Sequence, residues 1–322
     1  MINRKTAALF MALVLFLGCL GGAAQTESRT IRVVTTIFPL YDWVREIACD
    51  RLDQMEITML LDTGADLHNY QPTAPDILKV AQADLFIYVG GESDDWATQV
   101  LSTAKNDQRL EINLMEALGE DVKEEEIVEG MEEEDHDEGD EEEHEGDEHI
   151  WLSLKNAGKL VQAIAQALGK IDPDYQTRYQ ANANAYIVRL QDLDRQYRRA
   201  VDEAKCKTIL FGDRFPFRYL AEDYGLTYYA AFSGCSAESE ASFQTIAFLA
   251  GKVDELGLTA VLTIENPKTE LAQTIVQSTK DKNQRILSMN SLQSFKGEDL
   301  ESGVNYLSVM AENLEVLKEA LN

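Results

Sequence analysis

DPDYQTRYQANANAYIVRLQDLDRQYRRAVDE, residues 172–203, reads as one uninterrupted helix. Tyr175, Tyr179, Ala183, Tyr186, Leu190, Leu193, Tyr197 and Val201 recur at spacings of three and four, with polar and charged residues between them, which is the pattern of a helix with one buried stripe. Asp172 stands where a cap belongs and Pro173 in the first turn, and no glycine or proline follows up to Glu203. At 1.5 Å per residue the rod is roughly 45 Å long, more than one domain needs. It is therefore expected to join two domains. The alternative is a pair of ordinary helices broken near Asn182 and Asn184.

Outward from the rod, both halves of the chain alternate strand and helix. On the N-terminal side IRVVTTIFPLYDWVREIA predicts a strand and a helix, MEITMLL (55–61) a second strand and ADLFIYVG (83–90) a third. Thr73, Pro75 and Asp76 predict a capped helix start between the last two. GESDDWATQVLSTA and LKNAGKLVQAIAQAL predict further helices. On the C-terminal side KTILFGD (207–213), TYYAAF (227–232), AVLTIE (260–265) and RILSMN (285–290) are strands, with helices over FRYLAEDYG, FQTIAFLAGKVDELG and the closing VNYLSVMAENLEVLKEALN. Alternation of this kind indicates an α/β fold: two lobes, each a parallel sheet flanked by helices, with a cleft between them. The lobes are expected over 31–171 and 205–322, joined by the helix 172–204.

The first lobe is interrupted by an acidic insertion, 119–148. Between Glu120 and Glu148 there are 19 acidic residues against the single Lys123, out of a net charge of −28 for the whole chain. Nothing in this run has a period or enough apolar residues to fold, so it is expected to be solvated and mobile. A balance this negative repels nucleic acid and anionic surfaces and concentrates cations. Three of the four histidines, His136, His144 and His149, lie in or at the end of this run, and the fourth is His68. Histidine so sparingly used, among carboxylates, points to a metal ion.

The start, MINRKTAALFMALVLFLGCLGGAAQ, has a basic beginning, an apolar run from Ala7 to Leu17 too short to span a bilayer, and small residues after it. That is the pattern of a secretory signal over residues 1–24. Phe16-Leu17-Gly18-Cys19 is similar to a bacterial lipobox, which predicts lipidation of Cys19; plain cleavage near Ala24 is the alternative. Cys49, Cys206 and Cys235 form no zinc-binding spacing, and as an odd set leave at least one free thiol. They are expected to be buried or partly buried structural residues.

In open parallel sheets ligands sit beyond the carboxyl ends of the strands. His68 follows one predicted strand, Asp213 and Glu265 end two others, and His149 immediately precedes a helix. Together they are the candidate ligands of an ion in the cleft, a mixed nitrogen and oxygen set that suits Zn²⁺, with Mn²⁺ next. Each also has an ordinary alternative: a hydrogen-bonded loop histidine, a helix-capping carboxylate, or a partner for Arg214 or Lys268. His136 and His144 are expected to make weak, exchanging metal contacts.

Two motifs carry a resemblance. GADLHNYQPTAPD is similar to the Gly-x-x-Pro-His-x-Tyr-x-Pro-Thr-x-x-Asp signature of the zinc and manganese solute-binding proteins of bacterial ABC importers, with Leu67 for proline and Gln71 for glutamate. DEHIWLSLKNA resembles the same family's Asp-x-His-x-Trp-Leu-(Ser/Asp)-Pro segment, with Leu154 for proline. The resemblance implies that His68 and His149 are the first two ligands. It implies a monomeric extracytoplasmic receptor, held at the membrane by a lipid anchor or free in the periplasm, that delivers a divalent metal to an ABC permease and has no catalytic role. The chain departs from the pattern at the third ligand, where Arg214 falls and a one-residue shift gives Asp213, and at the fourth, near Asn290. Two other readings stand beside it: a secreted zinc-dependent hydrolase, against which no H-E-x-x-H motif occurs, and a lipoprotein that binds a non-metal solute or acts as an adhesin.

Overall fold

A computed structural model describes residues 29–104, 106–131, 146–236, 240–265 and 269–322. His136, His144, Cys19 and Lys268 lie outside the described residues. The chain divides into Met1–Thr30 and a compact unit, Ile31–Asn322. In order, the compact unit runs β1 (Ile31–Thr35), α1 (Phe38–Ala48), β2 (Met55–Met59), α2 (Ala74–Gln82), β3 (Leu85–Tyr88), α3 (Asp95–Thr103), β4 (Leu110–Asn113) and α4 (Leu114–Leu118). Helices α5 (Leu154–Ile171) and α6 (Gln176–Glu203) follow. The second half is β5 (Thr208–Arg214), α7 (Arg218–Tyr224), β6 (Thr227–Phe232), α8 (Phe243–Leu256), β7 (Ala260–Ile264), α9 (Glu270–Ser278), β8 (Arg285–Met289), α10 (Gly297–Glu301) and α11 (Tyr306–Ala320). Among the described residues no helix is long and apolar enough to cross a membrane.

The strands form two parallel four-stranded sheets, ordered β2-β1-β3-β4 and β6-β5-β7-β8. The repeated order places a reversal of winding beside β1 in one lobe and beside β5 in the other, and this is where ligands of such sheets collect. Central β3 is buried along its whole length, as its continuous apolar run requires. β4, with the sequence LEIN, escaped the sequence reading because it is short and only half-buried, an edge strand with a weak pattern. α9 escaped it too.

Helix α6 is one rod of 28 residues, about 42 Å long, with no break at Asn182 or Asn184. Its stripe of Tyr179, Ala183, Tyr186, Leu190, Leu193, Tyr197 and Val201 is buried. The N-terminal end packs on α1 and α5 and the C-terminal end on α11, so a single helix serves both lobes. Asn182 donates its amide to Ile47 O at 2.8 Å, satisfying a carbonyl in the last turn of α1, and Tyr197 Oη donates to Met310 O in α11 at 2.6 Å. Asp172 does not cap the rod with its side chain. Its carboxylate instead takes Arg51 Nε at 2.9 Å and Tyr179 Oη at 2.7 Å, tying the start of the rod back to the first lobe.

The lobes are packed hard against each other, and one apolar core runs through both. Phe38 stacks on Phe295 with ring centroids 3.9 Å apart. Trp151 donates Nε1 to Ser291 O at 2.7 Å, and Tyr306 Oη donates to Trp151 O at 2.6 Å. Asp42 in α1 accepts the Tyr306 backbone N–H at 2.9 Å, at the first turn of α11. Burial pushes the Asp42 carboxyl from 3.8 up to about 6, against the lowering effect of that hydrogen bond. A raised carboxyl pKa means that the unfolded chain loses its proton first. Stability from this group therefore falls as pH rises from about 4 to 6 and stays lower above that, by at most about 3 kcal/mol. Asp42→Asn, which keeps the acceptor and removes the charge, is expected to match the wild type near pH 4 and exceed it at pH 8 in urea unfolding. Equal destabilisation at both pH values would contradict this.

The described ends of the insertion are anchored to the fold, although many of their side chains are exposed. Glu124 pairs antiparallel with Gly146, Lys123 O accepts Asp147 N at 2.7 Å, and Met131 is buried. Tyr219 Oη of α7 accepts Lys123 N at 2.9 Å and donates to Asp147 O at 2.8 Å. Backbone groups at the two ends thus find Tyr219 as a partner on the second lobe, while Ile127 stays exposed. The expectation of a wholly solvated 119–148 is thereby corrected where Lys123, Glu124, Gly146 and Asp147 are paired and Met131 is buried.

Candidate metal centre

His68 lies on the 3₁₀ turn Leu67–Asn69, opened by Asp66, whose carboxylate accepts His68 N at 3.1 Å. His149 directly precedes the 3₁₀ turn Ile150–Leu152, whose three residues are all buried. The backbone at His149 is held by Asp147 Oδ1, which accepts its N–H at 2.8 Å and also faces its Nδ1 at 2.9 Å. The two imidazoles meet across the cleft with Nε2 atoms 3.2 Å apart. His149 is fully buried, and the His68 side chain is only 9% exposed.

The far side of each ring is held by a polar partner, and for His149 the Asp147 carboxylate fixes the tautomer. His149 Nδ1–H donates to Asp147. His68 Nδ1 lies 2.7 Å from Ser93 Oγ and 3.6 Å from Glu148 Oε2. Asp147 holds the His149 proton on Nδ1 and so turns its Nε2 lone pair toward His68, and the two Nε2 atoms face each other as two ligands of one cation would. Tetrahedral zinc with Zn–N of 2.0–2.1 Å places two nitrogens about 3.3 Å apart, which matches the observed 3.2 Å. A carboxylate behind a metal-binding imidazole is also the usual way of fixing its orientation.

The electrostatics fit a cation as well. Burial, with His149 next in effect, pushes His68 down to about 3, so this imidazole is neutral at physiological pH. Burial acts to lower His149 too, but Asp147 outweighs it and the net shift is upward. Glu148 Oε1 accepts Ser93 N at 2.9 Å, while its buried Oε2 has no hydrogen-bond partner. Ser93 follows a tight turn in which Gly91 has φ +76, and a Cβ at Gly91 would fall 2.3 Å from Glu148 Oε1. Only glycine lets the turn carry Ser93 and Glu148 to the back of His68.

A third side chain reaches this group: the ligand atoms of His68, His149 and Cys235 all lie within 4.8 Å of one another. Burial, reinforced by Glu125, Asp147 and Glu148, pushes the Cys235 thiol far above its ordinary range. All three described cysteines are free; Cys206 and Cys235 are half-buried, and Cys49, against expectation, is exposed.

Asp213 and Glu265 do sit at the carboxyl ends of β5 and β7, but neither joins this group. Asp213 accepts Arg214 N at 2.9 Å and Ile264 N at 3.2 Å, closing the ends of two neighbouring strands. Glu265 accepts both Ser291 N and Ser291 Oγ at 2.6 Å. Burial raises the pKa of both carboxyls. Arg214 pairs instead with Asp66 at 2.5 Å, across the cleft mouth. Burial opposes ionisation of Asp66, yet this guanidinium holds its carboxyl below the usual range. Asn290 binds its own loop and Asn313. Ser93, Asp147, Glu148 and Cys235 were not singled out by sequence. Cys235 follows β6, an edge strand of the second sheet, and carries no spacing signal that sets it beside the histidines.

Similarity to known proteins agrees with this geometry. The family described as ZnuA, zinc-uptake complex component A, periplasmic, matches residues 33–320. The chain is 33% identical over 320 residues to the zinc-binding lipoprotein AdcA of Streptococcus pneumoniae strain R6, an alignment covering 98% of this chain and 61% of that protein. It thus spans about six tenths of that relative's length. It is 30% identical over 303 residues to the high-affinity zinc uptake system protein ZnuA of Bacillus subtilis strain 168, covering 93% of this chain and 90% of that one. The solved Zn(II)-bound ZnuA-like domain of Streptococcus pneumoniae AdcA superposes with a TM-score of 0.70 at 30% identity, covering 91% of this chain and 99% of that domain. The two lobes, the long connecting helix and the facing histidines thus occur in a chain that belongs to the ZnuA family.

Proposed function

We propose that this protein is an extracytoplasmic receptor that captures Zn²⁺ between its two lobes and delivers it to an ABC importer. The observation that carries the reading is the pair of Nε2 atoms 3.2 Å apart with both Nδ1 atoms engaged elsewhere. His68 and His149 are the primary ligands. Direct ligation by Asp213 or Glu265 would require each to release the donors it now satisfies, so this reading assigns them to holding the strand ends that wall the cleft. The relatives named as zinc-binding and zinc-uptake proteins support zinc as the cargo. Binding and release, not turnover, is the role, and the extended interlobe core favours a small adjustment at the cleft mouth over a wide hinge. A secretory signal over residues 1–24, lipidation at Cys19 and a monomeric state belong to the same proposal.

Competition against a chromophoric chelator tests it. One tight equivalent of Zn²⁺ is expected, lost in His68→Ala. Absence of any tight equivalent in the wild type would end the proposal, and zinc-dependent ester or peptide hydrolysis would favour an enzyme instead.

The acidic run acts as a collector of cations near the site, its effect greatest at low salt because exposed charges are screened over about 8 to 10 Å under physiological conditions. His136 and His144 are assigned weak contacts there. Removing residues 132–145 is expected to leave folding and the tight equivalent intact and to remove only weak ones. Removing 120–146 would also take out Glu125, whose Oε1 accepts Cys235 N at 3.1 Å, and is expected to weaken the tight site. Equal affinity in the two deletions would contradict that distinction.

A further inference from the structure

We infer that Cys235 binds the captured ion as a thiolate, making the centre a His₂Cys site; the inference rests on the receptor reading above. Its thiol and the two imidazoles form the one group of three potential metal-ligating side chains found among the described residues, within 4.8 Å. Tetrahedral zinc with Zn–S near 2.3 Å and Zn–N near 2.0 Å needs sulfur and nitrogen about 3.5 Å apart. The gap to be closed is at most about 1.3 Å, within reach of a small torsional adjustment of one side chain.

The loop that carries Cys235 is built to bring it there. Its own N–H is held by Glu125 Oε1 at 3.1 Å, and the next carbonyl, Ser236 O, accepts from Arg214 Nη1 at 3.4 Å. Before it, Gly234 lies against the His149 ring: a Cβ at that position would stand 3.0 Å from His149 Cε1 and 3.0 Å from Phe215 O. Any side chain at 234 would push the loop off the imidazole. Glycine therefore supplies the approach, Glu125 and Arg214 pin the backbone, and the cysteine is presented to the two nitrogens. Arg214 also shows why the third donor comes from this loop. Its guanidinium is spent on Asp66 and Ser236 and offers no lone pair.

The chemical consequence is selectivity. On binding, the thiol releases its proton to solvent, one S–metal bond forms in place of a water on the incoming ion, and the resulting thiolate favours zinc and other thiophilic ions over Mn²⁺, which prefers oxygen donors. Three protein ligands leave the fourth tetrahedral position open, as in zinc sites that exchange a ligand.

Cobalt(II) is the probe. The wild-type cobalt complex is expected to show intense tetrahedral visible bands and a near-ultraviolet thiolate-to-cobalt charge-transfer band. Cys235→Ser is expected to lose the charge-transfer band and to bind zinc about 100-fold more weakly, while keeping residual binding that depends on His149. If that variant fails to fold, alkylation of the wild type mapped by mass spectrometry serves instead: zinc should protect Cys235 from iodoacetamide and leave Cys49 reactive. A wild-type cobalt complex that requires His68 and His149 but has no charge-transfer band would overturn the thiolate ligand and leave the receptor reading standing. Absence of metal binding altogether would overturn both. Mn²⁺ displacing zinc at comparable concentration would also overturn it.

Discussion

His149→Ala is expected to weaken zinc binding by about 10²–10³-fold while leaving the fold intact. Structural zinc is bound with roughly 10–16 kcal/mol shared among about four ligands, so one imidazole carries several kcal/mol. The loss has a second part. Asp147 would keep a buried carboxylate whose imidazole partner is gone, although it retains the backbone N–H of residue 149. His149→Gln, which restores volume and some hydrogen bonding but no imidazole, should recover stability without recovering affinity. Zinc affinity by chelator competition, set beside urea unfolding of the metal-free protein, separates the two effects. Recovery of affinity in the glutamine variant would show that His149 acts by packing.

Trp151→Ala is expected to destabilise the protein by about 4 kcal/mol, since a fully buried tryptophan loses its contacts and leaves a cavity. The indole is completely buried, and its Nε1–H satisfies Ser291 O in the opposite lobe at 2.7 Å. It also lies against the His149 ring, with centroids 5.3 Å apart. One residue thus fastens the lobes together and backs His149, the proposed ligand. Trp151→Phe, keeping much of the packing and losing the hydrogen bond, should cost about half as much. Differential unfolding in urea measures both. A loss below about 1 kcal/mol for the alanine variant would mean that the interlobe core contributes little to stability.

The elements that could be read from sequence are those whose signal is local. The stripe from Tyr179 to Val201, the capping box of Thr73 and Asp76, and the continuous apolar run of β3 each carry their own period or cap, and each formed as expected. His68 and His149 could be singled out because histidine is rare in this chain. What could not be read depends on contacts between distant residues. Asp213 and Glu265 stand at the right strand ends, but their rotamers answer to Ile264 N and Ser291, partners 51 and 26 residues away. Cys235 has no recognisable spacing to either histidine, because the fold and not the sequence brings it near them. The ends of the acidic run read as solvated since charge dominates their composition, whereas backbone groups at Lys123 and Asp147 find Tyr219 on the second lobe and Val128 and Met131 join the apolar core.

Crystallising the zinc-loaded protein and recording anomalous scattering at the zinc edge would test the central claim most directly. One strong anomalous peak is expected, bonded to Nε2 of both His68 and His149 at 2.0–2.1 Å. A peak elsewhere, or an ion held through Asp213 and Glu265 with the two imidazoles still facing each other unbridged, would contradict it.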